Sequence, residues 1–343
     1  MKIKELFQNI LLSLAAVLVF LIIFEIILRI YADKEPERID PVILMKSNNS
    51  ILSYGMKPSS SMIRNGINIT INSRGMRDVE YDFKKKSDAY RIAVIGDSIS
   101  AGVDLNFSDL YPEILEKKLS SYSAKKKYEV LNFGVNGYST AQEVEVLKEK
   151  ALMFEPDLVI IQYTLNDPIE SDTIIGFFSQ IEDKKTGDCR IQSIDVKIPC
   201  SLRKFIDNVK LVKFLHGGWL NIKSKFGDDF YTKLYSDKSN LESLSESFKE
   251  VNKISNKNDI KIVLVIFPVL YDLKSYKYEW IHSKITEEAE KNNFIAVDLI
   301  EYYKDYDDGE LRAVKDDTWH PNRLGNEIAA DSILEILINN KLI

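Results

Sequence analysis

Arg91-Ile92-Ala93-Val94-Ile95-Gly96-Asp97-Ser98-Ile99-Ser100-Ala101-Gly102 decides how this chain is read. Its apolar run predicts a buried strand that stops at Gly96 and delivers Asp97 and Ser98 to its carboxyl end. The same pattern recurs downstream. Tyr128–Leu131 and Leu158–Ile161 are expected as the next two strands, the latter without a charge inside it. Ile262–Phe267 and Phe294–Val297 supply two more. Helices are expected at Asp109–Ser121, with Pro112 tolerable in the first turn, and at Thr140–Phe154, where Val144, Leu147, Ala151 and Phe154 share a face. Further helices are expected near Asn240–Ser255, Tyr276–Lys291 and Arg323–Ile338. Five apolar strands separated by helices predict an α/β fold with a parallel sheet covered on both faces. Ligands of such sheets sit at the carboxyl ends of the strands.

The rest of the chain narrows the class. Its 343 residues carry 46 Lys plus Arg against 52 Asp plus Glu, a net charge of −6. That balance argues against nucleic acid as the main partner, which needs a basic face. Two cysteines are too few for a disulfide-built scaffold or a cysteine-rich zinc site. No phosphate-cradling glycine loop follows the first strand, so no nucleotide cofactor is expected, and no metal.

One segment departs from the average. Ile10–Ala32 is almost wholly apolar, interrupted by Ser13, Glu25 and Arg29. As a helix at ~1.5 Å per residue it reaches about 34 Å, enough to cross a hydrocarbon core of about 30 Å. Glu25 and Arg29, four apart, can pair near the boundary. The stretch is expected as an uncleaved transmembrane anchor, a cleaved signal peptide being the alternative. Lys2 and Lys4 place residues 1–9 in the cytoplasm and the chain beyond about residue 33 on the external side. Residues 33–87 then form a linker or lead-in, with a strand at Ile67–Ile71 and a turn at Asn72–Gly75. Residues 88–343 form the main domain, with an insertion at about 168–237. Cys189 and Cys200 flank a hairpin-like alternation inside that insertion and are expected to be bridged in an oxidising compartment.

Four polar clusters mark the chemistry. Gly96-Asp97-Ser98 follows the first strand, Asn132 to Gly137 the second, and Thr164-Leu165-Asn166-Asp167 the third; Asp317-Thr318-Trp319-His320 precedes the final helix. Ser98 is a nucleophile if a base lies near, His320 titrates in the range a base needs, and Asp317 is close enough to orient the ring. The N–H groups of Ser98 and Gly137 and the Asn166 amide are the candidate oxyanion donors. Other residues get plainer readings. His282 is expected on a helix surface, His216 in a loop, and Asp305, Asp307 and Asp308 in a solvated turn. Phe177, Phe178, Trp219 and Tyr231 are expected to pack within the insertion, a sugar- or acyl-binding wall being the alternative.

Together the four clusters resemble the SGNH hydrolase (GDSL-like esterase/lipase) superfamily, with all blocks in family order over roughly residues 90–340. The resemblance implies a three-layer α/β/α, flavodoxin-like domain. It also implies Ser98, Asp317 and His320 as a triad, and Ser98, Gly137 and Asn166 as the oxyanion hole. Asn72-Ser73-Arg74-Gly75-Met76-Arg77-Asp78 is similar to the lead-in of membrane-anchored bacterial members. One position departs: the third block usually begins with glycine, and Thr164 stands there. The expectation is a membrane-anchored serine ester hydrolase acting on acylated carbohydrate or lipid of the cell envelope. An O-acyltransferase for a surface polysaccharide and a non-catalytic binding protein remain open.

Overall fold

The computed structural model describes residues 3–31, 42–49, 51–102, 104–123, 126–168, 188–191, 196–199, 230–315 and 317–343. Two compact units divide the chain: Met1–Arg38 with Gly176–Phe230, and Ile39–Ile175 with Tyr231–Ile343.

In the larger unit the apolar runs form the strands expected of them. Ala89–Ile95, Lys127–Asn132, Leu158–Tyr163, Lys261–Ile266 and Ile295–Asp298 build one parallel sheet. In chain order these are the first to fifth strands, and across the sheet they run fifth, fourth, third, first, second. The third strand is buried at every residue, as its central place demands. Helix Tyr111–Tyr122 links the first strand to the second, travelling toward one edge; Thr140–Glu149, Lys238–Asn258 and Glu279–Lys291 link strands travelling toward the other. Right-handed crossovers therefore place the first helix on one face and the other three on the opposite face. Helix Arg323–Asn339 packs beside Tyr111–Tyr122 and completes the three layers. Strand order reverses between the first and third strands, which opens a crevice at their carboxyl ends.

Thr140–Phe154 is not one helix. It stops at Lys150, continues as a 3-10 turn over Ala151–Phe154 and closes at Glu155 with φ 52°. Pro156 disfavours right-handed helix at the residue before it, which accounts for the stop at Glu155. His282 also departs from expectation. It is 1% exposed, with Nδ1 2.7 Å from Asp298 Oδ1 and Nε2 3.1 Å from the Tyr276 hydroxyl. A carboxylate at the end of the last strand gives the ring a partner inside, so it need not face water.

Residues 42–87 belong to the same unit as the sheet. Leu44–Lys46 pairs antiparallel with Tyr54–Met56, and Ser60–Arg64 with Ile67–Ile71. Ile43, Leu52, Met56, Ile69, Ile71 and Met76 are buried in the common core. The expected turn is held by Asn72, whose Oδ1 accepts from Arg74 N at 2.9 Å and Met76 N at 3.0 Å. Gly75 there has φ 73°, and a Cβ would lie 2.9 Å from the Met56 carbonyl oxygen, so only glycine fits.

In the smaller unit, Ile3–Tyr31 is a continuous helix, and Phe7–Arg29 within it is long and apolar enough to cross a membrane. Arg29 Nε lies 2.7 Å from Glu25 Oε1, the four-apart pair read from the sequence. Asp188–Ile191 and Val196–Pro199 pair antiparallel, as the alternation suggested. Cys200, Phe177, Phe178, His216 and Trp219 lie outside the described residues.

Candidate active site

Ser98 opens a four-residue helix, Ser98–Ala101, where the first strand ends. Asp97 caps it through Oδ1, which accepts from Ile99 N at 3.0 Å, and Gly102 at φ 57° closes it. The turn is fixed from the third strand. Gln162, fully buried, uses Oε1 to accept from Asp97 N at 3.0 Å, Ser100 N at 3.2 Å and Ser100 Oγ at 2.9 Å. A Cβ on Gly96 would sit 2.4 Å from that same oxygen, so the glycine is what allows the approach. From the other side Arg77 donates to the carbonyls of Ala101 (2.8 Å), Gly102 and Leu105 (2.6 Å). Burial lowers the Arg77 pKa to about 10, against the opposing charge of Asp104. Gln162 and Arg77 were not singled out from sequence. Both act on backbone that is distant along the chain, where no local motif marks them.

Ser98 Oγ lies 2.8 Å from His320 Nε2, and His320 Nδ1 lies 2.7 Å from Asp317 Oδ2. With Nδ1 protonated toward the carboxylate, Nε2 is left to accept the serine proton. Asp317 Oδ1 accepts from Trp319 N at 2.8 Å and His320 N at 3.2 Å, which folds the loop around its own acid. Backbone bonds set the loop's place on the sheet: Leu270 N donates to Thr318 O at 2.7 Å, and Ala313 N to His320 O at 2.9 Å. Arg312 braces Leu270 in turn, donating to its carbonyl from Nε at 3.0 Å and Nη2 at 2.6 Å. Burial disfavours the charged imidazolium. The hydrogen bond and charge of Asp317, with the charges of Asp97 and Asp104, outweigh this and hold His320 above its ordinary pKa. Asp317 is lowered: partial burial works against its charge, but the His320 bond and charge and two backbone N–H groups prevail.

The two other expected donors sit on turns tied to the Ser98 turn. Asn132 Nδ2 donates to Ser100 O at 2.7 Å, and Val135 N to Gly96 O at 3.0 Å, which brings the Gly137 turn against the first strand's end. Gly134 packs there too; a Cβ on it would lie 2.6 Å from Ser100 Cβ. Asn166 connects through Thr164, whose hydroxyl lies 2.8 Å from Asn166 Oδ1, 2.7 Å from Asp167 Oδ1 and 3.1 Å from Asp97 Oδ2. A hydroxyl has one proton to give. Burial, then the Asp97 charge, pushes Asp167 well above the carboxylate range, against its bonds from Thr164. Thr164 Oγ1 is the donor to both carbonyl-type oxygens, its one proton shared between Asp167 Oδ1 and the contact with Asn166 Oδ1. That bond turns the Asn166 nitrogen away from Thr164. The residue that departs from the usual glycine thus anchors the amide. Among the described residues, Ser98 N, Gly137 N and Asn166 Nδ2 donate to no protein acceptor.

The sequence matches the GDSL-like lipase/acylhydrolase family over residues 94–328. The chain belongs to that family. No curated protein matches it. Among solved structures this GDSL-family chain is similar to LAE5, an alpha/beta hydrolase enzyme from the metagenome of Lake Arreo, Spain (14% identity, TM-score 0.45, 74% of this chain and 96% of that one). It is also similar to a two-domain esterase active on acetylated mannans (18% identity, TM-score 0.44, 74% of this chain and 50% of that one). A third is a variant of Axe2, an acetyl xylan esterase from Geobacillus stearothermophilus (14% identity, TM-score 0.44, 72% of this chain and 94% of that one).

Proposed function

We propose that this protein is a membrane-anchored serine ester hydrolase working through an acyl-enzyme. The observation that carries the reading is the hydrogen-bonded chain from Asp317 through His320 to Ser98. Ser98 Oγ attacks the ester carbonyl carbon while its proton passes to His320 Nε2. The negative charge that forms on the carbonyl oxygen is met by the N–H groups of Ser98 and Gly137 and by the Asn166 amide. Collapse breaks the bond to the alcohol, which leaves with the proton from His320. Water then adds to the acyl-enzyme by the same route, and the acid departs.

Short acyl esters on envelope carbohydrate are the substrate class we favour over lipid. Trp319, 39% exposed and packed on Tyr231 with ring centroids 5.9 Å apart, offers an aromatic face one residue from His320. The apolar helix Phe7–Arg29 suits an anchor that keeps the domain beside envelope glycans. Lys2 and Lys4 favour an external domain. Ser98→Ala is expected to abolish release of nitrophenol from 4-nitrophenyl acetate while leaving thermal unfolding nearly unchanged; full activity in that variant removes Ser98 from the mechanism. Acylated sugar formed from an added glycan acceptor would instead favour transfer over hydrolysis. Retention in the membrane pellet after alkaline carbonate is expected of the anchor, and release into the soluble fraction contradicts it.

A further inference from the structure

Gly137 lies in a four-residue turn, Val135–Tyr138, closed by Tyr138 N donating to Val135 O at 3.2 Å. With φ 75° at the third position, Gly137 has the backbone of a type II turn. The turn's own hydrogen bond leaves the middle peptide, Asn136 C=O with Gly137 N–H, unused. Rotating that peptide alone converts a type II turn into type I and exchanges the places of its N–H and C=O. A carbonyl turned toward a developing oxyanion would repel it. Tyr54 meets this peptide: its hydroxyl donates to Asn136 O at 2.5 Å. In a trans peptide the C=O and N–H point in opposite directions, so a donor on the carbonyl sets where the Gly137 N–H points. Such a bond also polarises the peptide and strengthens the N–H as a donor.

The tyrosine is itself held. Its ring stands edge-on to Tyr138 with centroids 5.1 Å apart, and its carbonyl accepts from the Tyr138 hydroxyl. Gln142 Nε2 donates to the carbonyls of Ile51 and Leu52, both at 3.1 Å, and Asn49 Nδ2 donates to Glu145 Oε1 at 2.9 Å. The hairpin carrying Tyr54 is therefore strapped to helix Thr140–Glu149, the element that begins just after the Gly137 turn.

We propose that Tyr54 is a positioning residue for the oxyanion site, holding the Asn136–Gly137 peptide with its N–H toward the charge that forms in acyl transfer. The proposal rests on the serine-esterase reading above and adds that the segment ahead of the sheet completes the site.

Tyr54→Phe in the full-length protein tests it, because the change keeps the ring against Tyr138 and removes the hydroxyl alone. On 4-nitrophenyl acetate kcat is expected to fall roughly tenfold with KM within about twofold, a fraction of what loss of an oxyanion donor itself costs. Tyr90→Phe is the control. It deletes a matching bond from hydroxyl to backbone, Tyr90 to Leu342 O at 2.7 Å, at the opposite end of the sheet, and should leave kcat unchanged. A Tyr54→Phe kcat within twofold of the wild type, or an equal loss in both variants, overturns the proposal. No turnover and no Ser98 labelling in the wild type would instead overturn the esterase reading, a distinguishable result. If Tyr54→Phe does not fold, 3-fluorotyrosine at position 54 replaces it, assayed at neutral pH where the hydroxyl stays protonated but is a stronger donor. A kcat that rises supports the proposal, and one indifferent to that acidity overturns it.

Discussion

The turns carrying Gly137 and Asn166 follow the strands on either side of the first, at the carboxyl end of the sheet, yet they are held in opposite ways. Asn166 is oriented from within its own turn, by Thr164 two residues away, with Asp97 and Asp167 around the same hydroxyl. Gly137, the proposed backbone donor, has no side chain to hold; the carbonyl of its peptide, Asn136 O, accepts from Tyr54 on a hairpin far upstream. A side-chain donor can be steered by close neighbours in sequence. A peptide donor in a turn needs a partner on its carbonyl, and the partner can come from anywhere the fold brings near.

Breaking the locally held donor should have the larger effect. Asn166→Ala is expected to lower kcat by about 10²–10³-fold with the fold intact, the usual cost of removing one oxyanion donor. Steady-state kinetics beside an unfolding curve would check it, and a loss below about threefold would take Asn166 out of the hole. Thr164→Val, nearly the same shape without the hydroxyl, frees the amide without deleting it. Its kcat should fall about tenfold, close to the effect expected of removing the Tyr54 hydroxyl. If Thr164→Val is as damaging as Asn166→Ala, the threonine does more than hold the amide.

The sheet and all five candidate site residues are read from local signals. Runs such as Leu158-Val159-Ile160-Ile161 announce a central strand by themselves, and the motif residues follow strand ends in order. What stayed hidden was non-local. Gln162 lies one residue beyond the apolar run read as the third strand, and only the fold shows its oxygen gathering three donors from the Ser98 turn. Arg77 and Tyr54 lie in a stretch read as a lead-in, because short strands and scattered apolar residues give no count of what they bury. His282 misled for the mirror reason: helical periodicity marks which face a histidine shares but not whether an acid such as Asp298 waits beneath it.

The smallest expected effect is on pH, and it concerns His320, the proposed base for Ser98. His320 must be neutral to take the serine proton, and its pKa lies above the ordinary histidine value of 6.5. The rise of kcat/KM with pH should therefore be centred above the ordinary histidine range. Stability runs the other way. A proton bound more tightly by the folded protein stabilises fully below the unfolded value of about 6.5 and is lost as pH climbs through the folded one. Asp317, depressed from 3.8, contributes above its unfolded value and loses that contribution as pH falls through its folded one. In His320→Gln the stability change between neutral and alkaline pH should shrink, and an unchanged profile would sever the link between the pair and folding.

Activation of one particular alcohol can be read most directly by mass. The intact protein, treated with a fluorophosphonate and digested, should carry the phosphonyl group on the peptide containing Ser98, and should lose that labelling when His320 is replaced or the protein is unfolded first. A folded protein that hydrolyses 4-nitrophenyl acetate but carries the adduct elsewhere, or nowhere, would contradict the mechanism.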